Sequence, residues 1–221
     1  MTERGMIFNA EMVRALLDGR KTQTRRIMKV QPVLNGNFYE VFGSAWSKGM
    51  TSIPAVPGHS LSTRCPFGAV GDRIWVRKGF FPAPLEMQSE PPRKTMWNIA
   101  YRDGMQMEKL APAEYNPTIY NYERWTPSIH MPRWASRILL EITDVRVERL
   151  NAINEHDAQA EGVAKLRGGF WKHYQPGWTQ HQLSARGSFV TLWKSIYGDE
   201  SWNSNPWVWV ISFERIEGGA A

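Results

Sequence analysis

Two hydroxyls and four cations fall within eight residues, in the run Gly19-Arg20-Lys21-Thr22-Gln23-Thr24-Arg25-Arg26. A hydroxyl close to an amine outlines a nucleophile–base pair, because lysine serves as a base once its proton is loosened. Arg20, Arg25 and Arg26 push Lys21 that way by like-charge repulsion. The competing reading is an exposed basic turn whose threonines suit a strand. Glu161 is the candidate acid. It ends the segment 154–161 against Gly162, where a carboxylate faces the negative end of a helix dipole, an arrangement suited to a proton donor. The competing reading is an exposed glutamate on a poorly optimised helix end. Asp157, one turn earlier, is the reserve acid.

A second set of residues suits binding. Between Trp125 and Trp134 lie Ser128, His130 and Arg133, stiffened by Pro127 and Pro132. Such a loop can line a base pocket, with Trp stacking and His or Ser reading a base edge. It can equally be a rigid connection whose tryptophans pack. Trp75 and Arg77 share a strand face by period two, and either contact a base or pack. His59, His130, His156, His173 and His181 show no metal-ligand spacing. The single cysteine, Cys65, excludes an internal disulfide and a cysteine-based zinc cluster. Phosphate-loop, dinucleotide, zinc-protease and serine-hydrolase motifs are absent. No metal and no cofactor is therefore expected.

The elements that must position these residues read as follows. Asn9 caps a helix whose Met12, Val13, Leu16 and Leu17 form one stripe, and Gly19 closes it. Residues 21–28 turn into a strand. Residues 73–77 alternate as a strand after the turn Gly71-Asp72. The stretch 134–150 is strongly β, with a bend at Asp144. A short helix follows, capped by Asn154 and closed by Gly162. Phe189, Leu192, Trp193 and Ile196 mark a helix over about 188–197, ended by Gly198. The last strand covers 206–216, with Trp207, Trp209 and Ile211 on one face. Proline- and glycine-rich stretches at about 31–70, 82–128 and 164–187 read as insertions, the second with a little β structure. Helices and strands do not alternate regularly, which excludes a doubly wound sheet. The expected class is α+β: one domain over 1–221, a small β structure with helices at its ends.

Composition narrows the setting. The chain has 221 residues, 42% of them hydrophobic and 22% charged, which is ordinary globular usage. No apolar run reaches the roughly 18 residues of a membrane helix, and residues 1–21 carry acids and Gly where a signal peptide is expected to be unbroken and apolar. A cytoplasmic protein with no membrane partner is expected. Lys and Arg number 27 against 21 Asp and Glu, a net charge of +6, and the pI is about 9.5. That balance fits a nucleic-acid partner or merely a basic protein. The 11 tryptophans serve stacking and packing alike.

The run at 19–26 resembles the G-x-K-x-x-x-x-R signature of the ASCH domain, a PUA-like β-barrel family, filled here by Gly19, Lys21 and Arg26. Locally it is most similar to bacterial amidohydrolases that deacetylate N(4)-acetylcytidine. That resemblance implies Lys21 as general base, Thr24 as nucleophile and Glu161, in the acidic, Ala-containing segment 154–162, as proton donor. The segments 71–77, 127–135 and 206–209 resemble a longer group of ASCH proteins carried by phages and prophages, some labelled morphogenetic proteins. This second resemblance covers nearly the whole chain. The compact amidohydrolases match only around 6–30, 138–163 and the last strand, and lack the three insertions.

The resemblance implies a small PUA-like (ASCH) barrel with flanking helices and long loop insertions, in a bacterial cell or a phage-infected host. It implies amide hydrolysis on an acylated pyrimidine nucleoside or base, without metal, with Arg26, Trp75, Arg77, His130 and Arg133 contacting substrate. The alternative is a non-catalytic module using the same basic pocket to bind modified nucleic acid, RNA in preference to DNA. A nuclease has no motif in its support.

Overall fold

The computed structural model describes residues 1–42, 50–54, 65–89, 93–117 and 124–216. Parts of the first two predicted insertions, and His59, lie outside the described residues. Element order is β1 (Glu3–Ile7), α1 (Ala10–Leu17), β2 (Gln23–Ile27), β3 (Val33–Asn35), β4 (Phe38–Phe42), β5 (Met50–Pro54) and β6 (Arg73–Arg77). There follow β7 (Phe80–Met87), β8 (Thr95–Tyr101), β9 (Gln106–Leu110), β10 (Leu139–Arg149), α2 (Glu155–Ala160), α3 (Ala185–Tyr197), α4 (Asp199–Asn203) and β11 (Trp207–Ile216). The class is α+β, and no described helix is long and apolar enough to cross a membrane. Packing divides the chain into two compact units.

The first unit holds residues 1–14, 73–141 and the end of β11 from Arg215. Here β1 pairs parallel with β6, and β6 pairs antiparallel with the start of β10. The chain therefore opens on a strand, not on the helix that was expected first. β1 buries only Met6 and carries no local alternation; its pairing with β6, some 70 positions on, makes it a strand. β7, β8 and β9 form an antiparallel meander where only a little β structure was expected. Pro82 and Pro84 suggested a loop, but β7 is an edge strand, where a missing N–H costs nothing. β8 buries Thr95, Trp97, Ile99 and Tyr101 in strict alternation. Trp97, Ile99 and Tyr101 pack with Phe80, Met131 and Trp134 as the core of the unit. Two of its buried polar groups are matched: Trp97 Nε1 donates to the Tyr115 carbonyl at 2.9 Å, and Tyr101 Oη to the Ala135 carbonyl at 2.8 Å, whereas Thr95 Oγ1 and Trp134 Nε1 have no partner among the described residues.

The second unit holds residues 15–72 and 142–214. β11 lies between β10 and β2, and pairs antiparallel with β2 in the register Thr24 to Ile211. β3, β4 and β5 form a small antiparallel sheet within a stretch read as irregular. β10 runs unbroken through Asp144, where a bend was expected, and begins at Leu139 because Arg133–Ala135 form a 3-10 turn. Among the described residues no ladder joins β1 to β2, so the strands are not closed into a barrel.

The helices follow their caps. Asn9 Oδ1 accepts from Met12 N at 2.8 Å, and Gly19 takes φ +73°. Asn154 Oδ1 accepts from Asp157 N at 2.8 Å. Ser184 Oγ accepts from Gly187 N at 3.0 Å, so α3 starts three residues before the expected 188. Glu155 in α2 accepts from the amides of Ala185 and Arg186 at 2.6 and 3.0 Å, so one helix caps the next. Gly198 ends α3 as expected, and the unexpected α4 follows at once. Between Ala164 and Ser184 the chain makes a 3-10 turn at Arg167–Gly169 and isolated bridges, Trp171 pairing with Lys165 and with Gln182.

Candidate functional site

Lys21, Arg25, Glu148, Asp157 and Glu161 converge within the second unit. Local structure explains how. Lys21 forms a β-bridge with Glu161, and Thr22 N donates to the Ala160 carbonyl at 2.9 Å. The entry to β2 thus lies along the C-terminal end of α2. Arg20 Nη1 donates to the Gly162 carbonyl at 2.8 Å, which sets a cation at the negative end of the helix. The approach is close because residue 162 is glycine. At φ +86°, a Cβ there would stand 2.7 Å from Lys21 Cβ and 2.8 Å from Ala15 Cβ.

Lys21 Nζ donates to Glu161 Oε2 at 2.8 Å, to the Glu161 carbonyl at 2.9 Å and to the Gln23 carbonyl at 2.7 Å. These acceptors match the three protons of an ammonium. Glu161 Oε1 accepts from Arg25 Nη1 at 3.1 Å. Arg25 Nη2 reaches Glu148 at 2.5 Å and Asp157 at 3.0 Å. Arg146 closes the network, at 3.0 Å from Asp157 and 3.3 Å from Glu148. Three cations thus face three carboxylates. Lys21 and Glu161 side chains are 2% and 4% exposed and Arg25 is sealed, so neither the exposed basic turn nor the exposed helix-end glutamate is what the chain builds.

Burial holds the Lys21 amine below its ordinary value of 10.5. Glu161 opposes that shift, and Arg26 and Arg25 add to it. The direction agrees with the sequence reading, but desolvation is the main cause and the arginines the lesser one. The dipole is not alone at Glu161: Lys21 and Arg25 both donate to its carboxylate. Because the unfolded chain holds the Lys21 proton more tightly than the folded one, the charged amine costs stability below its folded value. That cost is relieved as pH rises from there toward 10.5. Stability of the wild type relative to Lys21→Met should therefore increase on that rise, read by urea unfolding at stepped pH. A flat or falling difference would show an amine that is not desolvated.

Thr24 is buried, but on the other face of β2. Gln23 and Arg25 share one face, joined by a 2.7 Å hydrogen bond, and the pleat turns Thr24 and Arg26 away from it. The residues expected as base and acid are brought together; the expected nucleophile is not brought to the same side. Arg26 is half-buried, opposite Trp209 in the register.

The remaining predicted contact residues lie in the first unit. The Arg77 guanidinium stacks on Trp75 at 5.2 Å and donates to the Ile129 carbonyl. Gly5 leaves them room, since a Cβ there would meet the Trp75 ring at 2.7 Å. His130 is exposed at the end of a 3-10 turn, and Arg133 pairs with Glu3 at 2.7 Å. The two tryptophans of the Pro-stiffened loop divide: Trp134 packs in the core, and Trp125 is 44% exposed.

Arg146 and Glu148 were not singled out from sequence, and Arg25 only as a charge near Lys21. Their signal was present as polar residues at period two, Lys21, Gln23 and Arg25 leading into and along β2, and Arg146 and Glu148 in β10. Among the described residues no group of His, Cys, Asp and Glu could hold a metal ion. Comparison with protein-family models, with curated proteins and with solved structures found no match.

Proposed function

We propose that this protein hydrolyses the amide of an acylated pyrimidine nucleoside or base, such as N(4)-acetylcytidine, on a PUA-like (ASCH) scaffold of the phage and prophage type. The observation that supports this reading is the buried 2.8 Å contact between Lys21 Nζ and Glu161 Oε2, two residues 140 positions apart. Passing one proton along that hydrogen bond turns an ion pair into a neutral amine and a neutral carboxylic acid, the base and acid that the reaction needs. Thr24 Oγ1 attacks the acyl carbonyl as Lys21 takes its proton. Glu161 protonates the departing exocyclic nitrogen, an acyl-enzyme remains, and the starting ion pair is restored. Water then releases the acid by the same relay. Because Thr24 lies on the face of β2 opposite Gln23 and Arg25, while Lys21 bonds on the side of Gln23 and Arg25, substrate binding must open the Lys21–Glu161 contact and bring the hydroxyl to the amine. Arg26, on the face of β2 that carries Thr24, stays in this reading as a contact to substrate.

That strand alternation also favours a second reading, a module that binds modified nucleic acid, RNA in preference to DNA, with no chemistry. A binder has no use for a nucleophile, and its cations need only charge.

Turnover of N(4)-acetylcytidine by the purified protein separates the two. Release of cytidine is expected from the wild type, with loss in both Thr24→Ala and Glu161→Gln. No release at high enzyme concentration would sink acetylcytidine hydrolysis. RNA binding that Thr24→Ala leaves intact, and that weakens steeply with salt, would then establish the second reading.

A further inference from the structure

A cavity of about 500 Å³ lies wholly within the first unit, apart from the Lys21 cluster. Its size suits a small organic ligand. Phe8 and Trp125 give it apolar surface; Lys78, Arg102 and Asp103 give it charge; Asn9 brings the positive end of α1 to its wall.

The charges do not balance. Asp103 accepts from Lys78 at 3.0 Å and also from Arg137. Lys78 and Arg137 both lie over the Tyr101 ring, at 4.0 and 4.6 Å. Arg102 stacks on Trp125 at 4.8 Å, and among the described residues no carboxylate pairs with it. Two cations, Lys78 and Arg102, thus line a concave, partly apolar site with one carboxylate, Asp103, which Arg137 also draws on from outside the lining. A phosphate monoester, at about −1.5 to −2 near neutral pH, carries charge for both Lys78 and Arg102. The half-exposed indole of Trp125 is a stacking surface for a flat ring.

We propose that this cavity binds a nucleoside monophosphate, with its phosphate held by Lys78 and Arg102 and its base against Trp125 and Phe8. The binding is independent of the amide-hydrolase reading, and no turnover is needed to observe it. Burial brings the Lys78 amine down to about 8, against the pull of Asp103 and helped by Arg137. Its charge is therefore present at pH 7 and fading at pH 9, and nucleotide affinity falls over that interval.

Titration calorimetry of the whole protein tests this with cytidine monophosphate, adenosine monophosphate, cytidine and inorganic phosphate as separate ligands. At least one nucleotide is expected to bind, about tenfold or more tighter than cytidine or phosphate alone. Arg102→Gln and Trp125→Ala, both exposed positions whose change leaves the core intact, should each weaken it about tenfold. Failure of both nucleotides to bind at millimolar concentration would overturn the proposal. So would phosphate binding as tightly as the nucleotide, or equal affinity in both variants and the wild type.

Discussion

Replacing Glu161 by alanine is expected to destabilise the fold by about 3–5 kcal/mol, the cost of stranding buried cations. Its carboxylate is shared by Lys21 and Arg25 at 2.8 and 3.1 Å, and neither cation reaches water. Arg25 keeps Glu148 and Asp157, so the larger part of the loss falls on Lys21. The charge deficit also makes the effect recoverable. Lys21→Met combined with Glu161→Leu removes both charges and fills their volume, and should restore much of the stability lost in the single variant. Urea unfolding of the wild type, both single variants and the double variant measures this directly. A loss under about 1 kcal/mol in Glu161→Ala, the range of surface pairs, would mean that the pair is solvated.

The second large effect comes from a backbone position. Gly162→Ala should cost about 1–2 kcal/mol for a left-handed conformation and about 1–3 kcal/mol for overpacking. The steric part arises because the new methyl would stand 2.7 Å from Lys21 Cβ and 2.8 Å from Ala15 Cβ. Gly19→Ala is the matched control, since Gly19 has φ +73° and nothing within 4 Å of an added Cβ. It should show the backbone cost alone. Equal unfolding midpoints for the two variants would refute the close approach of α1, β2 and the end of α2. The gap between them measures how tightly Lys21 is held against Glu161, since relief of the clash must move one of the two segments.

The structure also explains where local reading succeeded and where it did not. Asn9, Asn154, Gly19, Gly162 and Gly198 announced helix boundaries because caps and left-handed closures are made within a few residues. β6 and the C-terminal strand were legible from alternation. β1 was not, because a parallel partner far along the chain makes it a strand. β7 was hidden by its own prolines, which are signs of a loop except at a sheet edge. In the candidate site, Lys21 and Glu161 were both named from motif and position, and they are in contact. Arg25 lay inside the quoted run only as a charge repelling Lys21, yet it touches three carboxylates.

The sequence by itself determined which chemical groups are available and which short segments fold as helices or strands. Those properties rest on caps, glycine conformations and side-chain periods that neighbours along the chain decide. Only the tertiary structure decided which charges are buried, which neutralise one another and which are left in excess. Desolvation and Coulomb attraction act between groups close in space. Lys21 meets Glu161 from 140 positions away, Thr24 is turned from both by the pleat of one strand, and Arg102 and Lys78 line a cavity with one carboxylate, which Lys78 holds.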